Sequence, residues 1–217
     1  MSLWPLNQIV NDTQYYVRDA VIDYITYMKT VSPAIEGRLA FITDTAGPVI
    51  TITSPEEAKA YLHTASLTVD FAVTDTPAGV ASFSADLDGT AVVSGRGVDL
   101  LTLSLGSHTL TVHAADKAGN TSTKAVAFTV KATVGSRKTL VNRFFTEGKI
   151  TKATISDSFL AHLTSAEASI AAGKNKTAIN QLNAFINAVK AQQGKAITSA
   201  AATLLIADAN WVISHLK

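Results

Sequence analysis

Apolar positions recur along the chain with two different periods, and the period changes twice. Leu6, Val10, Val17, Val21, Tyr24, Met28 and Val31 follow the three-to-four spacing of one helical face. Thr30 to Pro33 closes that run, because proline disfavours helical geometry in the residue before it. Between Gly47 and Thr133 the code becomes alternation. Leu67, Val69, Phe71 and Val73 interleave with Thr68, Asp70, Ala72 and Thr74, which puts one set on a buried face and the other toward water. Leu101, Leu103 and Leu105 repeat the pattern, as do Leu110, Val112 and Ala114, then Val126, Phe128 and Val130. Asp88-Gly89, Gly106-Ser107 and Ala118-Gly119-Asn120 supply turn residues that tolerate positive φ. About seven short strands are expected, the signature of an antiparallel sandwich.

After Lys131 the helical period returns. Leu140, Val141 and Phe144 predict a short helix that Gly148 closes. Phe159, Leu160, Leu163 and Ile170 mark a second, opened by Thr154 or Ser156 as cap and stopped at Gly173. Ile179, Leu182, Phe185, Ile186 and Val189 define a third, ending at Gly194. A fourth runs from a Thr198 cap through Leu204, Leu205, Val212 and Leu216. Short loops favour antiparallel neighbours, so these helices make a small bundle. The expected fold class is therefore multidomain α and β. A helical segment (1–46) precedes an antiparallel immunoglobulin-like β-sandwich (47–132) and an all-α helical bundle (133–217).

Composition narrows the chemistry. With 47% hydrophobic residues and only 16% charged, the chain can bury a core. The absence of cysteine excludes disulfides, thiolate nucleophiles and thiolate metal sites. No stretch approaches the ~20 consecutive apolar residues of a membrane helix. The total charge of +1 hides a division: 1–46 carries −2, 47–132 carries −3, and 133–217 carries +6.

Particular residues in the middle segment carry a resemblance. They are Asp75 with Gly79-Val80, Leu87-Asp88-Gly89, the run Leu105-Gly106-Ser107-His108-Thr109-Leu110 leading to Val112, and Ala115-Asp116 with Ala118-Gly119-Asn120 before Phe128-Thr129-Val130. The segment resembles the bacterial immunoglobulin-like modules strung along secreted enzymes and surface proteins. Further on stand Phe145-Thr146-Glu147-Gly148-Lys149-Ile150 and the run from Leu182 to Val189. Gln193-Gly194-Lys195-Ala196-Ile197 follows, leading to Ala201, Leu204, Asp208-Ala209 and Val212-Ile213. This part resembles the FIMAH domain, a helical module at the C-terminus of secreted bacterial glycoside hydrolases, polysaccharide lyases and proteases.

The pairing implies a non-catalytic accessory tail of a larger secreted or cell-surface bacterial protein, with residues 1–46 as the remnant of an upstream domain or linker. Its expected partners are the upstream catalytic domain of the same chain and a polysaccharide or anionic cell-wall polymer. A monomer is expected, with no nucleic acid and no membrane span. The runner-up is a purely structural cap that stabilises the upstream enzyme.

Candidate sites are few. No G-x-S-x-G elbow or H-E-x-x-H pair occurs, and His63, His108, His113, His162 and His215 show no ligand spacing. His113 reads as an outer-face residue and His108 as a surface or turn residue. No cofactor is expected, with one reservation for calcium. Asp75, Asp86, Asp88, Asp99 and Asp116 lie near strand ends, where carboxylates and loop carbonyls could meet a hard cation; the default reading is solvated turns. Tyr15, Tyr16, Tyr24 and Tyr27 cluster on the first helix with Trp4 just before it, and their expected role is packing. Lys149, Lys152, Lys174, Lys176, Lys190 and Lys195 fall at helix ends and loops. Their first reading is surface solubilisation, and that of Trp211 a partly buried bundle residue; Lys149, Lys174, Lys176, Lys190, Lys195 and Trp211 are the candidates for a ligand, with an anionic wall polymer as the second reading.

Overall fold

The computed structural model describes Thr26 and residues 44–216. The expected first helix, its four tyrosines and the preceding Trp4 lie outside the described residues except for Thr26, which is helical and exposed. The chain divides after Asp44, and everything below concerns the unit Thr45–Lys217.

Nine strands precede four helices: β1 (Val49–Ser54), β2 (Ala60–Leu62), β3 (Ser66–Thr68), β4 (Asp70–Thr74), β5 (Val80–Leu87), β6 (Thr90–Val92), β7 (Gly97–Asp99), β8 (Gly106–Asp116) and β9 (Thr121–Lys131). One sheet has the order β2-β9-β8-β5-β6, and the facing strands pair as β1-β4 and β3-β7. The alternation fills the space between these layers as the sequence predicts. Leu67, Val69, Phe71, Leu110, Val112, Phe128 and Val130 are all buried. Asp88 and Gly89, with φ of +51° and +81°, form a two-residue hairpin loop between β5 and β6, the conformation the Asp-Gly pair favours. Gly106 also has positive φ but opens strand β8 opposite Val130 and makes no turn.

The strands are antiparallel with one exception that matters for the whole molecule. β2 runs parallel to β9, Ala60 facing Thr129 and Leu62 facing Lys131, and His63 N–H extends the ladder to the Lys131 carbonyl at 2.9 Å. Both strands therefore end on the same side of the sandwich, where the chain leaves β9 for the helices. The parallel pairing is what delivers His63 there.

Two residues later the bundle begins: α1 (Val134–Thr146), α2 (Ala153–Ala171), α3 (Asn175–Gln192) and α4 (Ser199–His215). Thr133 and Ser136 form a reciprocal capping box at the start of α1. Thr198 caps α4, as its position predicts. Helix α2 departs from expectation: it starts at Ala153 behind Lys152, which makes no side-chain cap. Thr154 and Ser156 lie inside the helix, and Ser156 is buried because it falls on the core stripe three residues before Phe159. Gly173, at φ +68°, terminates α2 with Lys174 N–H bonded to the Ser169 carbonyl. Leu140, Val141, Phe144, Phe159, Leu163, Leu182, Phe185, Val189 and Leu205 make the core, with Phe159 and Phe185 packed edge to face.

One expected strand is absent. Leu100–Thr102 is a 3-10 turn capped by Asp99, and the chain stays irregular to Leu105. The alternating leucines serve two cores instead of one face. Leu100 and Leu103 pack into the sandwich, Leu101 packs against the bundle, and Leu105 touches both.

Candidate functional site

The sandwich and the bundle meet around a buried polar cluster that the spacing of residues does not announce. His63 comes from the turn after β2, Asp208 from the middle of α4 and Arg137 from the first turn of α1; they are 2%, 0% and 0% exposed. His63 Nδ1 lies 2.6 Å from Asp208 Oδ1, and His63 Nε2 lies 3.1 Å from the Leu103 carbonyl. Both ring nitrogens thus face acceptors, and only the doubly protonated imidazolium can donate to both. Burial opposes that charge. The hydrogen bond and charge of Asp208, the Leu103 carbonyl and the more distant Asp99 outweigh it, so the His63 pKa is raised above the ordinary value. Arg137 donates from Nη1 to the Asp208 carbonyl. Burial lowers its pKa to about 10 against the opposing pull of the Asp208 charge.

A second, exposed contact flanks this cluster. Arg143 on α1 reaches Asp99 at 3.0 Å and Glu147 at 2.7 Å, tying the 3-10 turn of the sandwich to the bundle. Its hydrogen bonds to Glu147 and Asp99 hold its pKa up. Burial works against the Asp99 charge, but Arg143 and the Leu101 amide prevail and keep that carboxyl low.

The carboxylates considered for calcium are occupied locally. Asp86 accepts from Gly89 N–H, and Asp88 binds Thr109 N–H and His108 around the β5–β6 hairpin. At the other end of β5, Asp75 accepts from Gly79 N–H and Asp116 from the amide and side chain of Asn120. Asp75 and Asp116 come together, with carboxylate oxygens within 4.8 Å. Asp116 is buried, not a solvated turn residue. Burial opposes its charge, but Asn120 and the amides of Ala118 and Gly119 hold the carboxyl below the usual range.

His108 also departs from its expected place. It is 4% exposed and lies over Phe128, with Nδ1 2.6 Å from Asp88 and Nε2 2.8 Å from the Ser104 carbonyl. Its parity with Leu110 and Val112 turns it inward, so the alternation itself carried that signal. His113 is exposed on the outer face, as expected.

The lysine candidates separate into two groups. Lys149 and Lys152 lie on the α1–α2 connection, Lys190 in the last turn of α3 and Lys195 on the α3–α4 connection. Those connections are laced together: Thr151 N–H donates to Ala196 and Thr198 N–H to Lys149, at 2.9 and 3.0 Å. Lys174 and Lys176 stand at the opposite end of the bundle, where α3 starts. Trp211 is half-buried against the core and stacks on His215 at 4.3 Å.

A shallow cavity of about 400 Å³ opens between the start of α1 and the ends of α2 and α4, lined in part by Thr133, Glu167, Ile170 and His215. No helix among the described residues is long and apolar enough to cross a membrane.

No curated protein matches the chain. Among solved structures, it is similar in part to the endo-beta-1,4-mannanase from Thermotoga petrophila, at 14% identity and TM-score 0.33, covering 40% of this chain and 20% of that one. It is also similar in part to Clostridium thermocellum CbhA fibronectin(III)-like modules, at 18% identity and TM-score 0.32, covering 39% and 46%. The chain spans less than half the length of either. Residues 134–214, from the first residue of α1 into the last turn of α4, match the FIMAH domain, so the helical module is similar to that family over its whole length.

Proposed function

We propose that this chain is a non-catalytic accessory region of a larger secreted protein, a spacer joined to an attachment module. The observation that carries the reading is the buried His63–Asp208–Arg137 joint. Two independent modules need only a linker; a charged cluster taken out of water between them fixes their relative orientation. The immunoglobulin-like sandwich then sets a distance and the FIMAH-like module presents a surface at a defined angle. Polysaccharide, cell wall or a protein partner is what that surface would meet outside the cell.

The test is sedimentation of the whole chain with a panel of insoluble neutral and acidic polysaccharides and purified wall material. Retention on at least one of them supports attachment. Uniform failure to sediment would overturn that half of the reading and leave a structural cap.

A further inference from the structure

We propose that the bundle end formed by the α1–α2 and α3–α4 connections is a binding site for a linear polyanionic polysaccharide. The inference rests on the attachment reading and gives its surface a place and a chemistry.

Charge at this end is concentrated by the fold, not by the sequence. Lys149 and Lys152 are some 40 to 50 residues from Lys190 and Lys195 along the chain. The backbone bonds between the two connections, with Ile150 bridged to Ile197, bring them to one surface. Ile150, Ala196 and Ile197 are buried beneath, so the lysines project from a fixed base instead of loose loops. All four are exposed.

The anions nearby offset them only in part, at Lys149. Glu147 is shared between Arg143 and Lys149, and Asp157 lies about one turn into α2. Lys195 donates from Nζ to the Ala191 carbonyl in the last turn of α3, at 3.2 Å. The other cations of the module are engaged elsewhere or sit apart: Arg137 is buried, Lys138 pairs with Glu167, and Lys174 and Lys176 are at the far end. Helix α2 begins here without a side-chain cap, so its first amides add partial positive charge to the same surface. A polymer with one anionic group per sugar fits such a surface, because its charges repeat along a line and each gains from a separate lysine.

The experiment measures affinity of the full chain for polygalacturonate, with lipoteichoic acid, an uncharged glucan and duplex DNA in parallel, at low and at physiological salt. Polygalacturonate binding that weakens with salt is expected. It should fall at least tenfold in Lys149→Gln/Lys152→Gln/Lys190→Gln/Lys195→Gln and stay unchanged in Lys174→Gln/Lys176→Gln, both variants keeping the wild-type circular dichroism spectrum and melting temperature. Lipoteichoic acid binding of equal strength would assign the site to phosphodiester polymers and overturn the carboxylate polymer as its ligand. Equal binding of DNA, or equal loss in the two variants, would reduce the effect to diffuse charge and overturn the site. Binding to the glucan that survives the quadruple substitution would overturn this site while leaving the attachment role standing.

Discussion

At the scale of single residues, His63 carries the most physical consequence. Its two acceptors are an Asp208 carboxylate from one module and a Leu103 carbonyl from the other, so the proton on the imidazole is shared work between them. Folding raises the His63 pKa above 6.5, which means the folded chain holds that proton more tightly than the unfolded chain. The contribution is complete below about pH 6.5 and is lost as pH climbs through the higher folded value. Urea unfolding across pH 5 to 9 should show this component of stability declining on the alkaline side, and His63→Gln should remove it. An NMR titration in which His63 Cε1–H moves at or below pH 6.5 would contradict the assignment. None of this was legible in the sequence, since His63 and Asp208 are 145 positions apart and neither belongs to a spacing motif. Arg137 likewise stands in no motif, and only the fold shows it buried. By contrast, His108 could have been placed inside from its parity with Leu110.

Among elements, the chain announced its helices and strands through period and punctuation, and its misleading places share one cause. Leu101, Leu103 and Leu105 alternate as a strand should, yet Asp99 caps a 3-10 turn and the leucines divide between two cores. Alternation reports that successive side chains point to opposite sides; it does not say that one side is solvent. Similarly, Thr154 and Ser156 are good cap residues by type, but the start of α2 is set by its packing against α3 and α1, which draws Ser156 into the core. Where type and geometry agree, the cap carries measurable stability. Thr133 binds Ser136 N–H at 3.0 Å and its own N–H is held by Ser136 Oγ at 2.9 Å. Thr133→Ala should cost about 1 kcal/mol in chemical denaturation, and Thr133→Ser much less. A loss near zero would mean that water or the preceding chain satisfies the first turn of α1 as well as the threonine does.

Across the whole molecule, the joint is built from two charged contacts of unequal value. The exposed Asp99–Arg143 pair, 43% and 37% accessible at its side chains, belongs to the class worth about 0–1 kcal/mol. The His63–Asp208 pair is almost inaccessible, and removing one partner strands a charge, a loss of about 3–5 kcal/mol. Double-mutant cycles built with alanine should therefore give a larger coupling for the buried pair than for the exposed one. Equal couplings would show that the modules are held by Leu101 and Leu105 and not by the polar cluster.

The parallel β2–β9 ladder has a mechanical meaning as well. β9 leads within two residues into α1, whereas β2 is approached from the N-terminal side. A pull on the bundle against the N-terminal part of the chain acts on opposite ends of two strands that point the same way, so their hydrogen bonds are loaded in shear. Bonds in shear resist together, while an antiparallel hairpin pulled from its open end peels one bond at a time. A tail anchored at its helical end and tugged through its sandwich would bear that load where its strands are best arranged to hold.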